Sequence, residues 1–545
     1  MDINGYYSVI SERMVDRMKK TKLIMIVLAL VMMLSACGTI LAKNDDAILK
    51  NATQIVLTDS TITVDGEIAG GDPANAVYIA NDIVYYESGK DFTYGEGSEN
   101  DAHSVEDAAA HTVVHITQPG TYAISGTLSR GQIAVDLGED AKDDPDAVVT
   151  LILNGVDITC EVAPAVIFYR VYECGSDDAD EASKDVDTSA AGANVFIVDN
   201  TVNTITGSYV ARIYKPDSIV LNKDGTKVKD ADKLHKYDGA FYSRMSMNIN
   251  AGRKSSGVLN IIAENEGLDS ELHLTINGGN INIFSGNDGI NTNEDGISVT
   301  TINGGALTIE VTGGSGEGDG IDSNGWLVIN GGTVIAAACS NSADAGIDSD
   351  MGIHINGGTV AATGHMLDRI EDGGQNYAVF NFAQKQNGAD EICLKNEKGE
   401  KLFTVCPQNN YSILIYSSPN MSAGTYTLWS NGAQLKGLSN GMMGVPGMPN
   451  DTTPPDPPDG QKFPEGGEHP EGQEPPNDGE RPEGQEPPID GERPEGQEPP
   501  YGGENGTGHF PDNFGPNTTP GSQEYSNEFV IASGANMFSG ITQSE

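Results

Sequence analysis

Apolar residues recur in fixed columns through the middle of the chain. Ile276, Ile302, Ile329 and Ile355 each precede an Asn-Gly-Gly corner, and its asparagines, Asn277, Asn303, Asn330 and Asn356, lie 26, 27 and 26 residues apart. Beyond each corner come Ile281, Leu307, Val334 and Val360, then, two positions on, Ile283, Ile309, Ala336 and Ala362. Apolar side chains two apart beside a glycine corner mark short strands between turns; a helix would space them three or four apart. A unit of this size cannot bury its own apolar face and must stack on its neighbours. The repeat is too long for hexapeptide or nonapeptide rolls and has no helical stripe of the leucine-rich kind. The pattern therefore predicts an all-β chain built as a right-handed parallel β-helix, the hand following from the crossover rule.

The same alternation, less regular, fills residues 51–66 and 112–159, and polar stretches at 86–110, 175–193 and 222–237 read as insertions lengthening one corner. The expected organisation is a β-helix over 51–376, a small antiparallel β unit over 377–440 that closes its open end, and a returning strand within 523–545 that pairs with that unit. Between them, residues 441–522 are rich in Pro, Glu and Gly, with a twelve-residue repeat opening at Pro470, Pro482 and Pro494. That composition cannot bury enough apolar surface to fold and predicts an extended, disordered segment.

Residues 1–37 predict a processing signal. Arg17, Lys19, Lys20 and Lys22 precede an apolar run from Leu23 to Ala36 that ends in Leu34-Ser35-Ala36-Cys37-Gly38. This resembles a bacterial lipobox, which implies cleavage before Cys37, lipidation of its thiol, and a protein tethered at the outer face of the cell membrane; an uncleaved anchor is the alternative. Met14 or Met18 would open an ordinary signal. Five cysteines remain, an odd number, none with zinc-ligand spacing. Cys160 with Cys174 and Cys393 with Cys406 are possible disulfides, and buried free thiols are the alternative.

The chain's formal charge of -48 repels nucleic acid and anionic lipid, leaving the lipid anchor as the membrane contact; an anionic partner would need a bridging cation. One place for cations is a second ladder, out of phase with the first: Glu266-Gly-Leu-Asp269, Asp288-Gly-Ile-Asn291, Asp319-Gly-Ile-Asp322 and Ala345-Gly-Ile-Asp348, the last preceded by Asp344. Stacked one strand spacing apart, roughly 4.8 Å, two carboxylates repel by about 3 to 4 kcal/mol at an effective dielectric near 20. Many hard oxygen ligands, with no His or Cys, suit Ca²⁺, and Asn293, Asn324 and Asp350 stand nearby in the sequence. Asp and Asn also cap β-corners without any ligand. The Asn-Gly-Gly asparagines read as a stacked amide ladder with no ligand role.

The stretches HITQPGTYAISGTLSRGQIAVD, LILNGVDIT and DGAFYSRMSMNI, with the repeated DGI(D/N) and INGGT(V) units, resemble a bacterial carbohydrate-binding β-helix family that binds cellulose and acidic sugars such as polygalacturonate. The resemblance spans roughly residues 51–437. It implies a right-handed parallel β-helix with bound calcium, akin in shape to calcium-dependent pectate lyases but used for binding. Asn291 and Ala345 depart from the acidic pattern, so the number of sites stays open. A lyase needs a Lys or Arg base, and none occurs between Lys254 and Arg369, though Arg253 or Lys254 could reach in. A polygalacturonase-like hydrolase would need paired acids; DGID at Asp319–Asp322 matches part of that signature, but the adjacent Asp-Asp pair is missing. The expectation is non-catalytic, calcium-dependent binding of polygalacturonate or cellulose by a monomeric surface lipoprotein. A lyase or hydrolase, or a structural adhesin, is the alternative. Trp326 is the candidate sugar-stacking residue, and Trp429 is expected in the core of the closing unit.

Overall fold

The computed structural model describes residues 45–439 and 525–544; Cys37 with its lipobox and the acidic repeat of 441–522 lie outside them. The described chain is all-β apart from two short helices, Asp45–Lys50 and Val105–Ala109, and two 3-10 turns. Among the described residues no helix is long and apolar enough to cross a membrane.

Its strands stack in three ladders. One runs Gly120–Leu128, Val149–Thr159, Ala193–Ile197, Met247–Ala251, Leu274–Ile276, Val299–Ile302, Trp326–Ile329 and Gly352–Ile355, every step parallel. A second, also parallel, takes the far half of Val149–Thr159 through Val202–Gly207, Val258–Ala263, Asn280–Ser285, Ala306–Val311 and Thr333–Ala337 to Thr359–Gly364. The third is an eight-stranded sheet in the order Ile321–Ser323, Ile290–Thr292, Glu266–Ser270, Gly239–Ser243, Val166–Arg170, Gly131–Asp136, Thr112–Ile116 and Val77–Ala80, parallel except for the last pairing.

Register places like on like. Ile276, Ile302, Ile329 and Ile355 are successive partners, as are Ile281, Leu307, Val334 and Val360, and all of them are buried. Aligned β-branched side chains fill each layer, so every repeat completes the core of the next. The asparagine corners form the expected amide ladder: each Nδ2 donates to the preceding Oδ1, Asn303 to Asn277, Asn330 to Asn303 and Asn356 to Asn330, all at 2.9 Å. It begins one repeat earlier, where Asn277 donates to Asn250 at 3.0 Å.

At the far end Thr359–Gly364 turns from parallel to antiparallel pairing with Tyr411–Ser417. Strands between Tyr377 and Ser439 form an antiparallel unit with its own aromatic core, which Phe529–Ile531 and Ala535–Gln543 join by pairing with Gly424–Ser430, Ala433–Ser439 and Tyr377–Gln386. Trp429 lies outside that core. Tyr426 and Leu428 face inward, and strand alternation puts the indole on the opposite face, half-buried, with Lys395 Nζ 3.8 Å from its ring centroid. The five described cysteines are free thiols.

A candidate metal centre of buried carboxylates

The DGI(D/N) ladder of residues 266–348 folds into two adjacent columns at one end of the eight-stranded sheet. Asp269, Asn291 and Asp322 are lateral partners in the strand ladder, and Asp348 continues the row through its N–H, which donates to Ile321 O at 2.7 Å. Immediately before the glycine of each unit stand Glu266, Asp288, Asp319 and Ala345. Here the amides of Gly267, Gly289 and Gly320 donate to the carbonyls of Asp288, Asp319 and Ala345 at 2.9 to 3.0 Å.

The glycine of each DGI is required by packing. A Cβ on Gly289 would lie 2.2 Å from Ile309 Cγ2 and 2.5 Å from the carbonyl oxygen of Gly320, so the corner backbone sits directly against its neighbours. That close approach stacks the carboxylates at strand spacing and removes them from water.

The most buried part comprises Glu266, Asp269, Asn291 and Asn293. Asn291 Nδ2 donates to Glu266 Oε1 at 3.1 Å, and Asn293 Nδ2 donates to Asp269 Oδ1 at 2.6 Å. Glu266 Oε2, Asp269 Oδ2 and Asn291 Oδ1 have no partner, although these residues are only 6%, 0% and 7% exposed. All three unpartnered atoms are acceptor oxygens. Leaving such groups buried and unmet costs about 1 to 3 kcal/mol each, and more when charged.

Without a cation the carboxyls hold their protons to higher pH than carboxyls ordinarily do. Burial first, then the Asp238 charge, pushes Glu266 up to about 8, and burial with Glu266 beside it pushes Asp269 well above the usual carboxylate range. Burial with Asp288 and Asp348 pushes Asp319 up to about 9, and burial with Glu266 and Asp322 raises Asp288 well above its ordinary value. Further along the row, burial with Asp350 and Asp368 brings Asp322 to about 6, and burial with Asp368 and Asp322 brings Asp348 to about 7.

Asp344 is differently employed: its Oδ2 accepts the N–H of Gly318 at 2.5 Å and the hydroxyl of Ser342, so it ties two turns together. Trp326 is apart from the acids, half-buried on the other side of the Asn324-Gly325 corner in the first ladder, whereas Asp322 belongs to the eight-stranded sheet. Of the other neighbours, Asn324 donates to Asn293 O and to Asp295 at 3.1 and 3.3 Å, and Asp350 is raised by burial and by Asp295.

Among the described residues, no three His, Cys, Asp or Glu side chains already converge as a formed metal site. The donor set is carboxylate and amide oxygen spread along the strands, in kind what Ca²⁺ takes.

Groups outside the repeat also reach it. Arg212 Nη2 bonds Asp238 Oδ2 at 3.0 Å, and an open cleft of about 280 Å³ is lined by Asp101, Tyr209, Arg212, Asp238, Asn265 and Glu266. Burial lowers the Arg212 guanidinium, but Asp238, Glu96 and Glu266 outweigh it and hold the group above its ordinary value. Lys236 lies 3.5 Å from Glu271 and 3.7 Å from Glu294. The only sequence signal for Asp238 was its Asp-Gly pair, which is one step out of register: Gly239, not Asp238, stands opposite Glu266.

Residues 110–373 match the model of a carbohydrate-binding domain-containing protein. The match takes in every ladder acid from Glu266 to Asp348 and the Arg212–Asp238 pair, and it supports carbohydrate binding in general. Among solved structures, the polysaccharide lyase-like protein from C. thermocellum, determined as a gadolinium derivative, is similar over 57% of this chain and 90% of that chain, with 20% identity and a TM-score of 0.32. No curated protein matches the chain.

Proposed function

We propose that this protein binds plant cell-wall polysaccharide without turning it over, through Ca²⁺ held by the acidic ladder. Polygalacturonate is the ligand that best suits an acidic ladder, with cellulose the other glycan considered. Glu266, Asp269, Asn291, Asp288, Asp319, Asp322 and Asp348 would hold the metal, and calcium so bound supplies the positive charge that lets sugar carboxylates approach so acidic a chain. Supporting this reading above all are the three unpartnered acceptor oxygens of Glu266, Asp269 and Asn291, buried donors of the hard oxygen kind that Ca²⁺ takes. In this reading the three ladders are the walls of a right-handed parallel β-helix. The chain is a monomer lipidated at Cys37 and displayed at the extracellular face of the membrane.

Lyase chemistry needs a neutral base beside the metal. Arg212 is the cation nearest Glu266 in the cleft, and its pairing with Asp238 keeps it protonated. Retention on polygalacturonate with calcium, lost with chelator and accompanied by no rise in the ultraviolet absorbance of unsaturated product, is the expected result. Rising absorbance would make the protein a lyase, new reducing ends without it a hydrolase, and no retention on any glycan a structural adhesin.

A further inference from the structure

The eight-stranded sheet that ends in the carboxylates begins with an aromatic pair. Tyr78, on the edge strand, stands opposite His115; their rings stack with centroids 4.4 Å apart and planes 7° from parallel. Both are half-buried, the His115 side chain 16% exposed, and His115 Nε2 lies 2.8 Å from Asp82 Oδ1. Tyr85, Tyr94 and Tyr169 pack against the main apolar core; Tyr78 does not.

Register links this pair to the acids. Tyr78, His115, Ala134, Ile167, Tyr242, Asp269, Asn291 and Asp322 are successive lateral partners, so they form one row on one face. The middle of the row is closed: Ala134, Ile167 and Tyr242 are fully buried, with Tyr237 packed edge-on against Tyr242 and Tyr169 and stacked on His235. Five strand spacings, roughly 24 Å, separate Tyr78 from Asp269.

We propose that Tyr78 and His115 form a second carbohydrate seat, which takes a neutral pyranose ring of a β-linked glucan without calcium. An aromatic face offers the apolar C–H side of a flat sugar a matching surface, and polar groups at its rim fix orientation. Here the rim is acceptor-rich: Asp82, and Asp136 held in a two-pronged bond by Arg170 at 2.8 and 2.7 Å. Acceptors suit sugar hydroxyls. They repel a uronate, and Arg170, the nearby cation, is engaged by Asp136 and by Glu139 at 3.7 Å. One face thus carries two seats of opposite requirement, one that needs a cation and one that does not. This rests on the reading that the chain binds polysaccharide, but on different residues from the metal ladder.

The test is affinity electrophoresis of the full chain through hydroxyethylcellulose with chelator present. Retardation is expected, weakened roughly five- to tenfold by Tyr78→Ala and retained by Tyr78→Phe. Tyr78→Thr, which keeps a strand-favouring residue, should match the alanine variant, and a thermal melt checks that each variant is folded. Polygalacturonate binding with calcium should be unchanged in all three. Absence of retardation by the neutral glucan, or equal retardation of wild type and both ring-free variants, would overturn the proposal. Loss of calcium-dependent polygalacturonate binding with glucan retardation intact would instead remove the metal-ladder reading and leave this seat standing.

Discussion

Asp288 Oδ1 accepts the backbone N–H of Asp319 at 2.7 Å, and Asp319 Oδ1 accepts that of Ala345 at 2.5 Å. Asp288 and Asp319 are thus each fixed by the next repeat's amide, and the last member of the column needs only an N–H, which alanine supplies. Asp319→Asn keeps that acceptor and removes the ionisable group that must take up a proton to be buried without a cation. The variant is expected to melt at a higher temperature than wild type in chelator and to gain less from added calcium, both readable in one calorimetric series. A lower melting temperature in chelator would show that the carboxylate is satisfied by something other than a cation.

Gly289→Ala should be costly although nothing polar is touched. Its Cβ meets Ile309 Cγ2 and the Gly320 carbonyl at distances real side chains do not adopt, so strand and corner must part. Overpacking of this kind costs about 1 to 3 kcal/mol, measurable by urea denaturation. The variant should also lose calcium-induced stabilisation, because separating the corners moves Asp288 away from Asp319.

The isoleucine columns and the Asn277–Asn356 ladder were legible because a strict period forces identical neighbours at every step. Trp326 shows where sequence adjacency misleads: four residues from Asp322, it has already turned a corner into another sheet. Trp429 was misplaced because an indole is usually buried, while here strand alternation and Lys395 settle its side. Arg212 and Asp238 were not legible as part of the site. Asp238 borders the 222–237 insertion and Arg212 precedes it, and only the tertiary fold brings them to Glu266. Likewise, Asp368 joins the row only in the fold, where its Oδ2 accepts the N–H of Ser349 at 3.0 Å and its charge raises Asp348.

Asn303→Ala removes two links of the amide ladder, the bond to Asn277 and the one from Asn330. These amides are partly solvated, so each bond is worth about 0.5 to 1.5 kcal/mol, and the expected loss for the two is about 1 to 3 kcal/mol. Calcium-dependent binding should be untouched, since the ladder lies on a different corner from the acids. A variant that folds normally but loses glycan binding would contradict the purely structural role.

Stability of the metal-free chain should fall as pH rises. Asp322, Asp348, Glu266 and Asp319 are raised to about 6, 7, 8 and 9 in the folded chain, whereas in the unfolded chain they titrate near 4. Between those limits the folded state binds more protons than the unfolded one, so the slope of unfolding free energy against pH is negative. The stabilisation is fully present below about pH 4 and is lost progressively up to about pH 9. Calcium competes with those protons for the same oxygens, so its effect runs the other way, small when the carboxyls are protonated and large once they are not. Melting temperatures recorded from pH 5 to 9, on the order of one unit apart, with chelator and with calcium, should therefore diverge as pH rises. Parallel curves would show that the ladder acids and the metal do not share a site.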